Sequence, residues 1–137
     1  MQNIVFKIIK NLSPEISHNL TIKLLKLNLL KNKTPDEKIL HQHMFGLDFH
    51  NPLGIAAGFD KNADVVKPLL NLGFGFVECG TITPKEQYGN SKPRIFRLSN
   101  DYAIINHLGF NNKGLASAEK NIKKLRLNAL SKGIVGI

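Results

Sequence analysis

A lysine stands directly after a run of small and apolar residues in Asn51-Pro52-Leu53-Gly54-Ile55-Ala56-Ala57-Gly58-Phe59-Asp60-Lys61-Asn62. The run has no 3.6-residue period and is bounded by proline and glycine, so it reads as a short buried strand. It opens into Gly58-Phe59-Asp60-Lys61, ahead of a helix expected from about Ala63 to Leu72. In parallel α/β folds ligands bind at the carboxyl ends of strands, and a lysine there is placed to meet an anion. Glycines on either side of two alanines let a bulky planar or phosphorylated ligand approach the backbone, because little Cβ bulk keeps it away. The same letters also fit a tight strand-to-helix turn that needs small residues for packing, with Lys61 merely solvated.

Two other stretches carry polar groups that fit such a site. Thr81 closes a second expected strand, Phe76-Val77-Glu78-Cys79-Gly80-Thr81, at the level of Gly58 to Lys61. Its hydroxyl can bond a cofactor oxygen or phosphate, or it can cap its own turn. Asn106-His107-Leu108-Gly109-Phe110-Asn111-Asn112 sets three amides around a glycine, offering the donors and acceptors that an amide-rich ring requires. Other chemistries find less support. Gly73, Gly75 and Gly80 precede a strand and do not form G-x-G-x-x-G, which argues against a dinucleotide fold. His41 and His43 have the spacing of a metal pair but no third ligand near them, so no metal is expected. Cys79 is the single cysteine and lies in an apolar run, which fits a small core residue in a reducing compartment.

The elements that must position these groups follow a strand–helix–strand rhythm. Val65, Val66, Leu69, Leu70 and Leu72 give the first helix an apolar face, and Gly73 ends it. Such βαβ units give parallel strands. A long insertion, Thr83 to Gly114, follows, with expected strands at Arg94 to Leu98 and Tyr102 to Ile105 joined at Ser99-Asn100-Asp101. A helix is expected after it, and then the start of a third strand, Gly133 to Ile137. Upstream, Met44 to Phe49 reads as a short hairpin turning at Gly46.

The N-terminal segment has a different character. Ile4, Val5, Ile8, Ile9 and Leu12 form an apolar stripe at helical spacing, with Lys7 and Lys10 alongside. Ser13-Pro14-Glu15 starts a second helix, expected from Pro14 to about Leu30, with Ser13 as its cap. Glu15 is the only acid in the first 33 residues, against six lysines. Two short amphipathic helices with cationic flanks fit attachment to a membrane interface, or a helical hairpin packed on its own domain. Thr34-Pro35-Asp36-Glu37-Lys38 breaks the helical period, so residues 1–35 and 36–137 are expected as two units.

The chain has 137 residues with 42% hydrophobic content, enough for at most one ordinary globular domain. Its formal charge of +9 is spread along the sequence without an arginine cluster interleaved with aromatics, and no nucleic-acid partner is expected. No stretch reaches the roughly 18 apolar residues of a spanning helix, and no signal-peptide cleavage site is present.

Together, Asn51 to Gly54, Ala56 to Lys61, Gly73-Phe74-Gly75, Gly80 to Pro84, Lys92 to Leu98 and Ile105 to Asn112 resemble the N-terminal part of class 2, quinone-linked dihydroorotate dehydrogenase. The resemblance runs in order through essentially the whole chain, the leading helices included. It implies an α/β fold, the first part of an FMN-binding (β/α)8 TIM barrel preceded by a small helical quinone and membrane segment. It also implies oxidation of dihydroorotate to orotate through FMN, with quinone as acceptor, in de novo pyrimidine (UMP) biosynthesis. By that analogy Ala57, Gly58, Phe59, Asp60, Lys61 and Thr81 contact the flavin. Lys61, Asn106, His107, Leu108, Gly109 and Phe110 contact the substrate, and His18 and Arg97 border the quinone. A peripheral location on the cytoplasmic side of the inner membrane follows from the same likeness. His107-Leu108 stands where many relatives have Arg-Met, a local departure.

A barrel of this kind takes about 250 residues, and only two βα units and the start of a third strand are present. The expected catalytic serine lies beyond Ile137, so the chain alone is expected to be inactive, poorly stable and prone to aggregate. A non-catalytic remnant of such a gene and another FMN-barrel oxidoreductase are the rival readings.

Overall fold

A computed structural model describes Ile9 and residues 11–32, 34–127 and 133–137. Ile4, Val5, Ile8, Lys7 and Lys10 of the expected first helix lie outside the described residues, as does Lys33.

Strands β3 (Gly54–Asp60), β4 (Phe76–Cys79) and β7 (Ile134–Gly136) form a parallel sheet in the order β3-β4-β7. Helix α2 (Val66–Asn71) connects the first pair and α3 (Leu115–Leu127) lies between the second, which is the expected rhythm. The core forms where Val65, Val66, Leu69 and Leu70 meet Val77 and Cys79 of β4 and Leu125 of α3. The apolar spacing in this helix therefore faces the sheet, burying the branched side chains where they displace most water.

Two antiparallel hairpins complete the strands. Strands β1 (Gln42–Met44) and β2 (Leu47–Phe49) pair across a turn in which Phe45 and Gly46 have φ of +53° and +73°. Strands β5 (Ile95–Leu98) and β6 (Ala103–Asn106) are the pair expected inside the long insertion.

Three local features differ from the sequence reading. Helix α1 (Pro14–Lys26) stops before Leu30, because Asn28 turns left-handed at φ +51° and its side-chain oxygen accepts a hydrogen bond from Asn71 Nδ2 at 2.9 Å. Asparagine tolerates that conformation at a helix end, and a tertiary bond holds it there. The Ser13 hydroxyl makes no cap bond. The first turn is held instead by Ser17 Oγ, which donates to the Ile9 carbonyl at 2.6 Å. Helix α2 starts at Val66, three residues later than Ala63, whose φ is +54°.

Strand β3 is not buried along its length. Ala56 and Ala57 are exposed, and only Asp60 of this strand is fully buried. The accessible surface of 10132 Å² exceeds the roughly 7,100 Å² that a compact monomer of this mass presents.

Cys79 is 2% exposed, and burial, reinforced by the nearby Asp60 charge, pushes its thiol up to about 11. The thiolate is the reactive form, so the folded chain should resist iodoacetamide at about pH 8 and take up one adduct in denaturant. Intact mass after each treatment checks this. Rapid labelling under native conditions would show that β4 is not packed as described.

Candidate functional site

The carboxyl ends of β3 and β4 and the 106–110 loop surround a cavity of about 310 Å³. Ala57, Gly58, Lys61, Thr81, Asn106, His107, Leu108, Gly109 and Phe110 line it, with Asn111. Residues up to 54 positions apart in sequence therefore share one space (Ala57 to Asn111). Gly58 has φ of +98°, and a Cβ built there meets nothing within 4 Å, so its missing side chain opens onto the cavity. Gly80 does the opposite service: a Cβ there would lie 3.2 Å from the Lys61 Cα, and its absence lets the end of β4 close against β3.

Lys61 is half-buried, and among the described residues its ammonium makes no hydrogen bond or ion pair. Burial is the main influence holding it below the ordinary lysine range; the Glu15 charge opposes this, Arg94 adds to it, and Asp60 opposes it. A partly desolvated cation without a counterion lowers its energy by binding an anion.

Phe59 and Asp60, both expected to touch a cofactor, do not line this cavity. The Asp60 carboxylate is 1% exposed and turned away from it. It accepts the backbone N–H groups of Asp64 and Val65, each at 2.7 Å, at the entrance to α2. Burial raises its pKa above the ordinary carboxylate range, while those N–H donors and that of Asn62 pull it back. The carboxylate holds the turn that presents Lys61 through the two residues that precede α2.

A second cavity of about 500 Å³ lies beside the first, between α1, β3 and β5. His18 and Arg97 both line it, together with Phe59 and largely apolar neighbours such as Ile55, Ile95 and Ile104. Ala57, Gly58, Lys61, Asn106 and Leu108 border both cavities. The His18 ring meets Phe59 edge-on at 5.3 Å between centroids. Burial and then the Lys61 charge lower the His18 pKa, and Glu15 opposes them, so the ring favours its neutral form. Arg97 donates to the Leu12 carbonyl at 2.6 Å and to Ser17 Oγ at 3.0 Å, which ties β5 to α1.

The three amides separate in role. Asn106 borders both cavities, while its Oδ1 accepts the Leu108 N–H at 3.4 Å. Asn112 is buried, and its Oδ1 accepts from Gly114 N–H and from the Thr83 N–H and hydroxyl, so it staples the loop to residue 83. It is therefore not open to a ring ligand, contrary to the sequence reading. Asn111 Oδ1 is buried without a hydrogen-bond partner among the described residues. The His107 ring stacks on Phe96 at 5.7 Å and 15°. His43 pairs with Asp48 at 2.7 Å and the His41 ring meets His50, so the two candidate metal ligands have separate partners. Among the described residues no group of three His, Cys, Asp or Glu side chains can hold a metal ion.

Sequence reasoning missed Glu15 and Arg94. Their ion pair at 2.6 Å joins α1 to the residue preceding β5, and it holds the Glu15 carboxyl below its ordinary range despite partial burial. The available signal was that Glu15 is the sole acid of a basic segment.

Parallel strands whose carboxyl ends carry a shared cleft, with helices on the connections, define an α/β unit that fits part of a TIM barrel. The chain belongs to the dihydroorotate dehydrogenase family, whose model, described as Dihydroorotate dehydrogenase, matches residues 39–137. A protein of Rhodopseudomonas palustris (strain TIE-1) named dihydroorotate dehydrogenase (quinone) is 53% identical over 126 residues, covering 92% of this chain and 34% of the relative. One of the same name from Agrobacterium fabrum (strain C58 / ATCC 33970) is 51% identical over 127 residues, again covering 92% of this chain and 34% of the relative. The crystal structure of DHODH from Eimeria tenella in complex with ferulenol has a TM-score of 0.83 and 45% identity, covering 90% of this chain and 34% of that one. The chain thus spans about a third of the length of the curated relatives it matches.

Proposed function

We propose that these residues form the N-terminal third of a quinone-linked dihydroorotate dehydrogenase, which oxidises dihydroorotate to orotate in pyrimidine synthesis. The observation that carries this reading is the half-buried Lys61 ammonium, without an ion-pair partner among the described residues, in a cleft built from Gly58, Thr81 and the 106–110 loop. Residues 36–137 are the first part of the barrel, and residues 1–35 a helical segment for quinone and membrane contact.

The residues present fit FMN. Ala57 and Gly58 leave the backbone open to a flat ring, with the Gly58 space free of protein atoms. Thr81 and Lys61 line the same cleft and would offer a bound flavin a hydroxyl and a positive charge. The chemistry FMN supplies when bound is acceptance of two electrons from dihydroorotate and their release to quinone.

Lys61 holds the substrate carboxylate, which offsets the cost of its own burial and fixes the ring's orientation. Asn106 supplies amide donors and an acceptor to the ring; Gly109 and the exposed Phe110 wall the same cavity. Phe59 acts on the neighbouring cavity, and Asp60 acts on FMN through the turn it caps rather than by contact. Proton removal from the substrate falls to a serine outside residues 1–137. His18 and Arg97 border the quinone in the second cavity, whose apolar walls suit an uncharged ring.

No helix among the described residues is long and apolar enough to cross a membrane. Attachment would be peripheral, on the cytoplasmic face of the inner membrane, through the basic helical segment.

The test is anaerobic mixing of the full-length, flavin-loaded protein carrying these residues with dihydroorotate. Bleaching of the flavin absorbance is expected, followed by recovery on adding a short-chain quinone faster than with fumarate or NAD. Retained flavin without bleaching would mean a non-catalytic remnant, and a preference for fumarate or NAD would mean a different acceptor class.

A further inference from the structure

The Arg94 guanidinium is among the most completely engaged groups in the described structure. It is 6% exposed, and Nε and Nη2 both donate to the Glu15 carboxylate, at 3.3 and 2.6 Å. Nη1 donates to the Tyr88 and Asn90 carbonyls at 2.6 and 3.0 Å. One side chain thus binds the first turn of α1 on one side and the 88–90 loop on the other.

That loop is in turn bonded to the expected substrate loop. The Arg94 carbonyl accepts the His107 N–H at 3.0 Å. Asn90 donates its N–H to the Leu108 carbonyl at 3.0 Å and its Nδ2 to the His107 carbonyl at 2.6 Å. Gln87 Nε2 donates to the Gly109 carbonyl at 2.9 Å. Three successive carbonyls of the 106–110 loop are therefore held from residues 87–90, and two of those bonds come from Asn90, which Arg94 holds.

We propose that Arg94 is a positioning residue that sets the geometry of the 106–110 loop from helix α1, and so tunes affinity for dihydroorotate and orotate without touching either. This rests on the substrate reading given above. Only a planar fork can make these contacts together; a lysine ammonium can reach Glu15 or the loop carbonyls, but it lacks the geometry to bridge them. The remaining freedom passes to Asn106 and Phe110, whose placement the ligand must then restore from its own binding energy.

The test uses the full-length, flavin-loaded protein carrying residues 1–137, with orotate affinity read from the shift in flavin absorbance. Arg94→Lys is expected to weaken orotate binding and raise KM for dihydroorotate by about tenfold, with kcat, KM for quinone and flavin content changed by less than about twofold. Asn90→Ala should weaken orotate binding by about threefold in the wild-type background and add little to Arg94→Lys, because the loop is already released. Glu15→Gln, which keeps an acceptor for the guanidinium, supplies a second route should Arg94→Lys fail to fold, and is expected to cost about threefold.

Unchanged orotate affinity with a lowered melting temperature would overturn the proposal and leave a purely structural ion pair. Equal losses in quinone KM and flavin content would do the same. A wild-type protein that holds flavin but binds no orotate would instead remove the substrate reading on which the proposal stands.

Discussion

Replacing Lys61 by alanine is expected to lower kcat/KM for dihydroorotate by about a thousandfold, or about 4 kcal/mol of transition-state stabilisation. The size follows from the setting. The ammonium is half-buried, has no ion-pair partner among the described residues, and stands at the end of β3 in the cavity formed with the 106–110 loop. An anion placed there is held by a charge that water screens incompletely, and removing the cation leaves the carboxylate desolvated without compensation. Steady-state kinetics with the full-length protein checks the loss. A substrate ester lacking the negative charge separates the causes: Lys61→Ala should then cost only about tenfold, because the missing charge has no partner. Equal losses with acid and ester would mean that Lys61 does not bind the carboxylate. Lys61→Arg should recover little, since the larger guanidinium must fit a space bordered by Gly58 and Thr81.

Replacing Asp60 by alanine is expected to destabilise the fold by about 3 kcal/mol, the cost of stripping one buried and one part-buried N–H group of a charged acceptor. The Asp64 and Val65 N–H groups donate to this carboxylate, and Val65 and Val66 are fully buried. Asp60→Asn should cost about 2 kcal/mol, because one amide oxygen satisfies one donor while the NH2 group faces the other. Denaturant melts of the full-length protein measure both. A variant with wild-type stability and lost flavin would place the carboxylate on the cofactor and not on the helix. The pH dependence has a definite sign. Burial raises the Asp60 pKa in the folded chain, so its ionisation works against folding. Its contribution is most favourable below the ordinary aspartate range and declines as pH rises through the raised value.

Several features were legible in the letters because they are local. The apolar spacing of Val65, Val66, Leu69 and Leu70 dictates a helix face, and Gly73 its end, so the βαβ rhythm needs no tertiary knowledge. The same holds for both hairpins and for Cys79, whose apolar neighbours place it in the core. The position of Lys61 after a run of small residues marked the ligand end of β3, and the motifs from Asn51 to Asn112 pointed to the family that residues 39–137 match.

What only the tertiary structure decided concerns side chains whose partners lie far along the chain. Asp60 stands inside the flavin-like motif, yet its carboxylate turns to the helix entrance, where the Asp64 and Val65 N–H groups lie within hydrogen-bond reach. Asn112 goes to Thr83 and Gly114 and not to a ligand. Helix α1 ends before Asn28, whose side chain is bonded by Asn71, 43 residues away, an energy that no helical period encodes. Glu15 and Arg94 meet across 79 residues. Periodicity and propensity describe a residue's near neighbours, whereas the choice between two polar partners is made only when folding brings both within reach and removes the water.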